Sequence, residues 1–279
     1  MTVFISAHEL ADYIRHGQNQ TVISTIWAPL EGEAHAIYQS NHIPTSLFCD
    51  PAYALAGIPS SLDGRNPMPS VGALQKSINA WGLKKGRPVV VFDPGTGVFA
   101  ARAWWMLRWA GIEEVYILDG GRAEWDRQEL PTVGGPGNIS VGSDVVVQPN
   151  SLPTIDIHDV KRFEGTLLDA RGESRFEGRR EILDLKAGHI PGAVNLPVSE
   201  LFDEHNRILP TDQVLARLAE EGIDHTTNPS DVVTYSGSGN HSAMLLAAMA
   251  HAGLPIVTHY VGGWSQWSAN PANQVARHV

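Results

Sequence analysis

Apolar residues along the chain fall into short β-rich runs separated by longer stretches with helical spacing, most plainly in the second half. TLLDA (166–170) reads as a strand, and GAVNLP (192–197) as a short one after a His-Ile-Pro turn. DQVLARLAEEGI (212–223) puts Val214, Leu215, Leu218 and Ile223 on one side, the spacing of an amphipathic helix. DVVTY (231–235) is a buried strand, and SAMLLAAMAHAG (242–253) a helix ended by Gly253. HYVGGW (259–264) is a last strand and turn. Strands alternating with helices predict an α/β domain on a mainly parallel sheet. Ligands in such sheets sit at the carboxyl ends of the strands, and TYSGSGN (234–240) lies at one such end.

The pattern is written twice. His42-Ile43-Pro44 recurs as His189-Ile190-Pro191, an offset of 147. The run PVVVFDPGTGVFAARAWWML matches DVVTYSGSGNHSAMLLAAMA and sets Asp93 opposite Ser236, an offset of 143. Gly120-Gly121 and Trp125 match Gly262-Gly263 and Trp267, an offset of 142 for the tryptophans. Landmarks in one order at nearly constant offset predict a duplicated domain, and the offset is too long for a solenoid repeat. The expected division is a first domain over 1–135, a Gly/Pro/Ser/Asn-rich linker over 136–153, and a second domain over 154–279.

Composition narrows the function. The chain has 279 residues, 43% of them hydrophobic, enough for two packed domains. A formal net charge of -10 with no basic stripe argues against nucleic acid and anionic membrane as partners. An anionic small substrate then needs a local pocket of N–H donors and arginines. Cys49 is the one cysteine, so no intramolecular disulfide forms; in its apolar run it reads as a small core residue. The first residues have neither a basic n-region nor an uninterrupted apolar run, and no stretch approaches a membrane span, so a cytoplasmic location is expected. The 12 histidines are scattered without metal spacing; neither a metal nor a cofactor is expected.

The candidate chemistry lies in loop 236–242. Gly237 and Gly239 permit the backbone angles by which successive N–H groups converge on an anion. The following helix adds its N-terminal donors and dipole. A thiolate at position 236 would be strongly stabilised there, but the chain has Ser236.

LLDAR (167–171) with Arg175-Phe176, AGHIPGAVNLP (187–197), the strand–loop–helix at 232–250 and YVGGWSQWS (260–268) resemble the tandem-domain rhodanese sulfurtransferases. So do HIP (42–44), GRNPMPS (64–70), the helix AARAWWMLRWAG (100–111) and LDGGRAEW (118–125) in the first half. The resemblance implies two rhodanese-like α/β domains, the first catalytically silent. It implies thiosulfate or 3-mercaptopyruvate as sulfur donor, and cyanide or a thiol as acceptor. The family's loop begins with a cysteine that becomes a persulfide. Ser236 holds that place, and oxygen cannot carry the transferred sulfur, so low or no activity is expected. The loop also departs at Asn240 and His241, where the family has small or β-branched residues, which favours natural divergence over a single laboratory substitution.

The resemblance further implies that Arg175 contacts the donor's anionic group, the alternative being a surface arginine in a charged segment. Arg179 is a second candidate contact, and Gly237, Ser238, Gly239, Asn240 and Ser242 line the cradle. Asp169 and Arg171 are read as structural support. His241 either acts on Ser236, donates to a bound anion, or faces solvent. Residues 236–240, S-G-S-G-N, fail the G-x-S-x-G elbow, which leaves a Ser236/His241 hydrolase a remote alternative. A non-catalytic anion-binding or regulatory module is the nearer one. Trp104, Trp105, Trp109, Trp264 and Trp267 are expected in the core and domain interface.

Overall fold

A computed structural model describes residues 2–277. In the first half β1 (Phe4–Ile5), β2 (Thr21–Thr25), β3 (Ser46–Cys49), β4 (Val89–Phe92) and β5 (Val115–Leu118) form one sheet in the order β1-β5-β4-β2-β3. All its pairings are parallel. Its helices are α1 (Ala7–Arg15), α2 (Glu33–Ser40), α3 (Pro51–Ala54), α4 (Val71–Trp81), α5 (Val98–Trp109) and α6 (Gly121–Arg127). The second half carries α7 (Ile157–Val160), β6 (Thr166–Asp169), α8 (Glu173–Phe176), β7 (Val194–Asn195), α9 (Thr211–Glu220), β8 (Val232–Tyr235), α10 (Asn240–His251), β9 (Thr258–Tyr260) and α11 (Gly263–Ala269). Its sheet, β7-β6-β8-β9, is also parallel. Thr154 bridges His259 in parallel on the free side of β9, where β1 lies beside β5 in the first sheet. The fifth strand of the second sheet is thus reduced to one residue pair. The two mainly parallel sheets flanked by helices match the expected fold class.

The boundaries read from the sequence shift slightly. The helix expected over 242–253 starts at Asn240, because Gly239, in the left-handed region with φ 86, caps it two residues earlier. Asp231 belongs to a 3-10 turn rather than to β8.

Why α10 lacks an apolar stripe becomes clear from its neighbours. It packs on β8 on one side and against α5 of the first half on the other. Ser242 to Met249 are all buried, so the helix is apolar all round. Trp104 and Trp105 of α5 and Leu245, Leu246 and Met249 of α10 belong to one continuous core spanning both halves. Trp109, Trp264 and Trp267 are buried as well.

No helix or strand occupies the stretch between Arg127 and Ile157. It is strapped along the first half: Asn138 N–H donates to Ser46 O at 3.1 Å, Val147 N–H to Gln75 Oε1 at 2.9 Å and Gln148 N–H to Ala110 O at 2.8 Å. Among the described residues, no helix is long and apolar enough to cross a membrane. Cys49 is buried in β3, where desolvation and the neighbouring Asp50 push its thiol pKa well up.

Candidate active site

The loop from Ser236 to Gly239 joins the carboxyl end of β8 to α10. Ser236 is fully buried; its Oγ accepts the Gly239 N–H at 3.2 Å and lies 3.1 Å from Ser242 Oγ. Its first-half counterpart shows what this loop shape does. Asp93, also fully buried, turns its carboxylate back into its own loop. Oδ1 accepts the N–H groups of Gly95 and Gly97 at 2.9 and 3.0 Å, and Oδ2 accepts that of Phe99 at 3.0 Å. The first cradle is therefore filled by the chain's own anion. At Ser236 the side chain is a neutral hydroxyl.

A hydrogen-bonded column runs inward from Ser236. Ser242 Oγ lies 2.7 Å from Nε2 of His259, on β9, and all three side chains are fully buried. Trp105 of α5 meets the imidazole edge-on, 4.5 Å between ring centroids. Burial, and then the charge of Arg102, hold the His259 pKa well below the ordinary imidazole range. His259 is thus neutral near pH 7 and a poor base for Ser236. Ser242, expected to line the anion cradle, lies beneath it, its Oγ between Ser236 Oγ and His259 Nε2.

Arginines and carboxylates build the outer wall. Arg171 holds Asp169 through Nε at 3.0 Å and NH2 at 2.6 Å, and donates to Gly188 O at 2.8 Å. Its guanidinium lies over Trp264, 4.8 Å from the ring centroid. Burial alone would lower the Arg171 pKa, but Asp169 outweighs it and the net shift is upward. Arg175 NH2 donates to both oxygens of Glu181 at 2.9 Å and to Asp184 Oδ2 at 3.0 Å. Glu181 Oε1 also accepts the backbone N–H groups of residues 182–184, which, with Arg175, lowers the Glu181 pKa despite its desolvation.

Three side chains of the first half reach this wall, and none was singled out in the sequence. Arg65 pairs with Asp184. Asn66 Nδ2 donates to Ser238 Oγ at 2.9 Å. Arg102, on α5, lies behind Gly239; it donates to Leu55 O through Nε at 3.2 Å and to Asn66 O through NH2 at 3.1 Å. Burial lowers its pKa to about 10, and NH1 has no hydrogen-bond partner among the described residues. GRNPMPS pointed to this loop as a family mark, but nothing local told Arg65 from a surface arginine.

Other predicted residues are placed differently from one another. Arg175 and Gly237 come together, and Asp169 with Arg171 supports the wall. Arg179 pairs with Glu177 and Glu173 beside α8, with 61% of its side chain exposed, and Arg65 takes the place beside Arg175 expected of it. Asn240 is half-buried in the first turn of α10. His241 is exposed on that turn and, among the described residues, makes no hydrogen bond to Ser236.

The turn into α11 clamps the loop from below. Trp264 N–H donates to Ser236 O at 2.7 Å and Ser265 N–H to Gly237 O at 2.8 Å. Gly263 has φ 57, and a Cβ there would lie 2.3 Å from Ser236 O. Gly263→Ala is expected to cost about 2 kcal/mol, from left-handed strain plus the forced displacement of the loop. Chemical denaturation checks this; a change under about 0.5 kcal/mol, the scale of ordinary surface substitutions, would show that the clamp yields freely.

The family profile described as "Rhodanese-like domain" matches residues 6–128 and 156–270. A Pseudomonas aeruginosa protein named "Probable 3-mercaptopyruvate sulfurtransferase" is 37% identical over 246 residues, 86% of each chain. The 3-mercaptopyruvate sulfurtransferase of Escherichia coli K12 is 31% identical over 275 residues, 96% of this chain and 95% of that one. The crystal structure of SseA from Escherichia coli, described as a 3-mercaptopyruvate sulfotransferase with the rhodanese fold, superposes with a TM-score of 0.80 at 30% identity, covering 95% of this chain and all of that one. The chain therefore belongs to the rhodanese family, with two copies of the rhodanese-like domain in tandem and relatives named as sulfurtransferases.

Proposed function

We propose that the pocket over loop 236–242 binds a small anionic sulfur donor of the thiosulfate or 3-mercaptopyruvate kind, and that this chain by itself transfers little or no sulfur to cyanide or a thiol. The observation that carries this reading is Ser236 at the carboxyl end of β8, inside a loop whose first-half twin binds a carboxylate through its backbone N–H groups. The surroundings suit an anion, but a serine oxygen cannot form the persulfide that sulfur transfer requires.

The self-occupied Asp93 cradle also favours a second reading, a non-catalytic anion-binding or regulatory module. Both loops would then be receptors, one filled internally and one open to a ligand. A Ser236 hydrolase fits less well. His241 is not bonded to Ser236, and His259 lies beside the buried cation Arg102, where an imidazolium is costly.

Calorimetry of the unmodified chain with thiosulfate and 3-mercaptopyruvate, run beside an assay for cyanide-dependent thiocyanate, tests the proposal. Binding of at least one anion without turnover is expected. Robust thiocyanate formation would overturn the assignment of low activity, and no binding to either anion would overturn the pocket itself.

A further inference from the structure

A second cavity, of about 230 Å³, lies at the amino ends of β2 and β3, the end of the first sheet opposite the Asp93 loop. Trp81, at the end of α4, and Leu47 of β3 give it an apolar wall, and Gln20, Lys84 and Arg87 a polar one. Residues 138–141, from the segment that joins the two halves, border it as a roof. That segment is fastened on both sides of the cavity. Asn138 N–H donates to Ser46 O at 3.1 Å, Ser140 Oγ to Ala80 O, and Ser143 Oγ to Leu83 O at 2.6 Å. The roof is held by these polar contacts, and its apolar side chains Ile139 and Val141 stay exposed at the rim.

The polar wall is incomplete. Arg87 Nε and Gln20 Oε1 are buried atoms with no hydrogen-bond partner among the described residues. Lys84 and Arg87 also form no ion pair among the described residues, in a chain whose formal net charge is -10. Buried polar atoms left in this way are costly unless a ligand or water completes them. The backbone at the mouth is unusual as well. Thr45 borders the cavity with φ 66, in the left-handed region that β-branched residues avoid. Its second-half counterpart after the His-Ile-Pro turn is Gly192, with φ 83. A side chain thus stands where the backbone favours glycine. The second half has no space for a matching cavity. Gly165 precedes β6 as Gln20 precedes β2, and a Cβ there would lie 2.3 Å from Asp231 O.

We propose that this cavity is a second ligand site, separate from the sulfur-donor pocket, for a small organic anion. Arg87 and Lys84 take its carboxylate or phosphate end, and Trp81 and Leu47 receive a flat or apolar body. A guanidinium fork matches two oxygens of either group, and Lys84 adds a point charge. Gln20 offers both a donor and an acceptor to a further polar atom. An apolar wall with a few placed polar groups is the common make-up of small-molecule sites, and a volume below their usual range of about 300–1,000 Å³ restricts the ligand to a small one. An occupant also ties residues 138–141 to the first half.

Benzoate and phenyl phosphate are the probes, with inorganic phosphate as the charged end alone. In NMR titrations of the isotope-labelled full chain, benzoate or phenyl phosphate should shift the Trp81 indole N–H and the backbone N–H groups of residues 139–141. The tighter of the two identifies the charged end, and inorganic phosphate should bind more weakly because it leaves the apolar wall uncovered. Arg87→Ala should weaken binding roughly 10- to 100-fold, the scale of a lost charge-assisted hydrogen bond, and Arg87→Lys should recover part of the loss. Gln20→Leu keeps every charge and should also weaken binding, so the site stays testable if Arg87→Ala folds poorly. Arg175→Ala should leave these shifts in place. No shift at Trp81 and residues 139–141 with millimolar probe overturns the site, and so do shifts that survive both Arg87→Ala and Gln20→Leu unchanged. Shifts confined to loop 236–242, or abolished by Arg175→Ala, put the probes in the sulfur-donor pocket and overturn it equally.

Discussion

Ser236→Cys should convert this chain into a working sulfurtransferase, raising cyanide-dependent thiocyanate formation by roughly four to six orders of magnitude, the scale set by removing a covalent nucleophile from an enzyme. The reason is local. Position 236 already receives the Gly239 N–H at 3.2 Å and stands before the N-terminus of α10, a twelve-residue helix. Arg65 and Arg175 face the neighbouring Gly237, and the buried Arg102 lies behind Gly239. Each of these favours a thiolate over a thiol, whereas none brings a serine hydroxyl near ionisation at neutral pH. The larger sulfur must fit where two oxygens now lie 3.1 Å apart, which costs about 1 kcal/mol of crowding against Ser242. Intact-mass analysis after incubation with the donor should show the gain of one sulfur atom. The unmodified chain is the control, because Cys49 is buried with its pKa pushed up and should gain none. A folded, donor-binding Ser236→Cys protein without thiocyanate formation or a persulfide would show that Ser242, His259 or Asn240 has changed the chemistry beyond the missing sulfur.

Periodicity made the sheets legible because strands buried on both faces are continuous apolar runs, as Val232 to Tyr235 and Val89 to Phe92 are. It made α10 legible as a helix but not as half of the domain interface, since an apolar surface says that something covers it and not what. The loop was found through its glycines and its place between β8 and α10, both local properties. Arg65 was missed because its partner Asp184 is 119 positions away and its target Gly237 farther still. No spacing rule links such residues, and only the docking of residues 62–66 on the second domain brings them together. Arg179 was overvalued for the opposite reason. It is near Arg175 in sequence, but beyond α8 it pairs with Glu177 and Glu173 on the outer side. Ser242 looked like one more cradle donor in a polar loop. Within α10 its position turns it inward, and His259, in a segment the pattern marked only as a last strand and turn, meets it.

Asp169→Asn should be the most damaging substitution to stability in the second domain, costing about 3–5 kcal/mol, the measured scale for breaking one side of a buried pair. Asp169 and Arg171 show 0% and 1% side-chain exposure, so water cannot replace the lost charge. Four hydrogen bonds end on the Asp169 carboxylate from Arg171 alone, counting its backbone N–H. Glu181, 3.8 Å from Arg171 NH1, is already committed to Arg175 and to three backbone N–H groups, so it cannot take over. Arg171 would then withdraw from Gly188 O and from the Trp264 ring, and through Trp264 would loosen the turn that holds Ser236 O. Denaturant unfolding followed by tryptophan fluorescence measures the loss. The pair Asp169→Leu with Arg171→Met separates two causes. If uncompensated charge is the damage, the double variant should be less destabilised than Asp169→Asn, because two apolar side chains leave no charge behind. If the double variant is equally or more destabilised, the pair contributes mainly by shaping the strand end, and the charge argument fails.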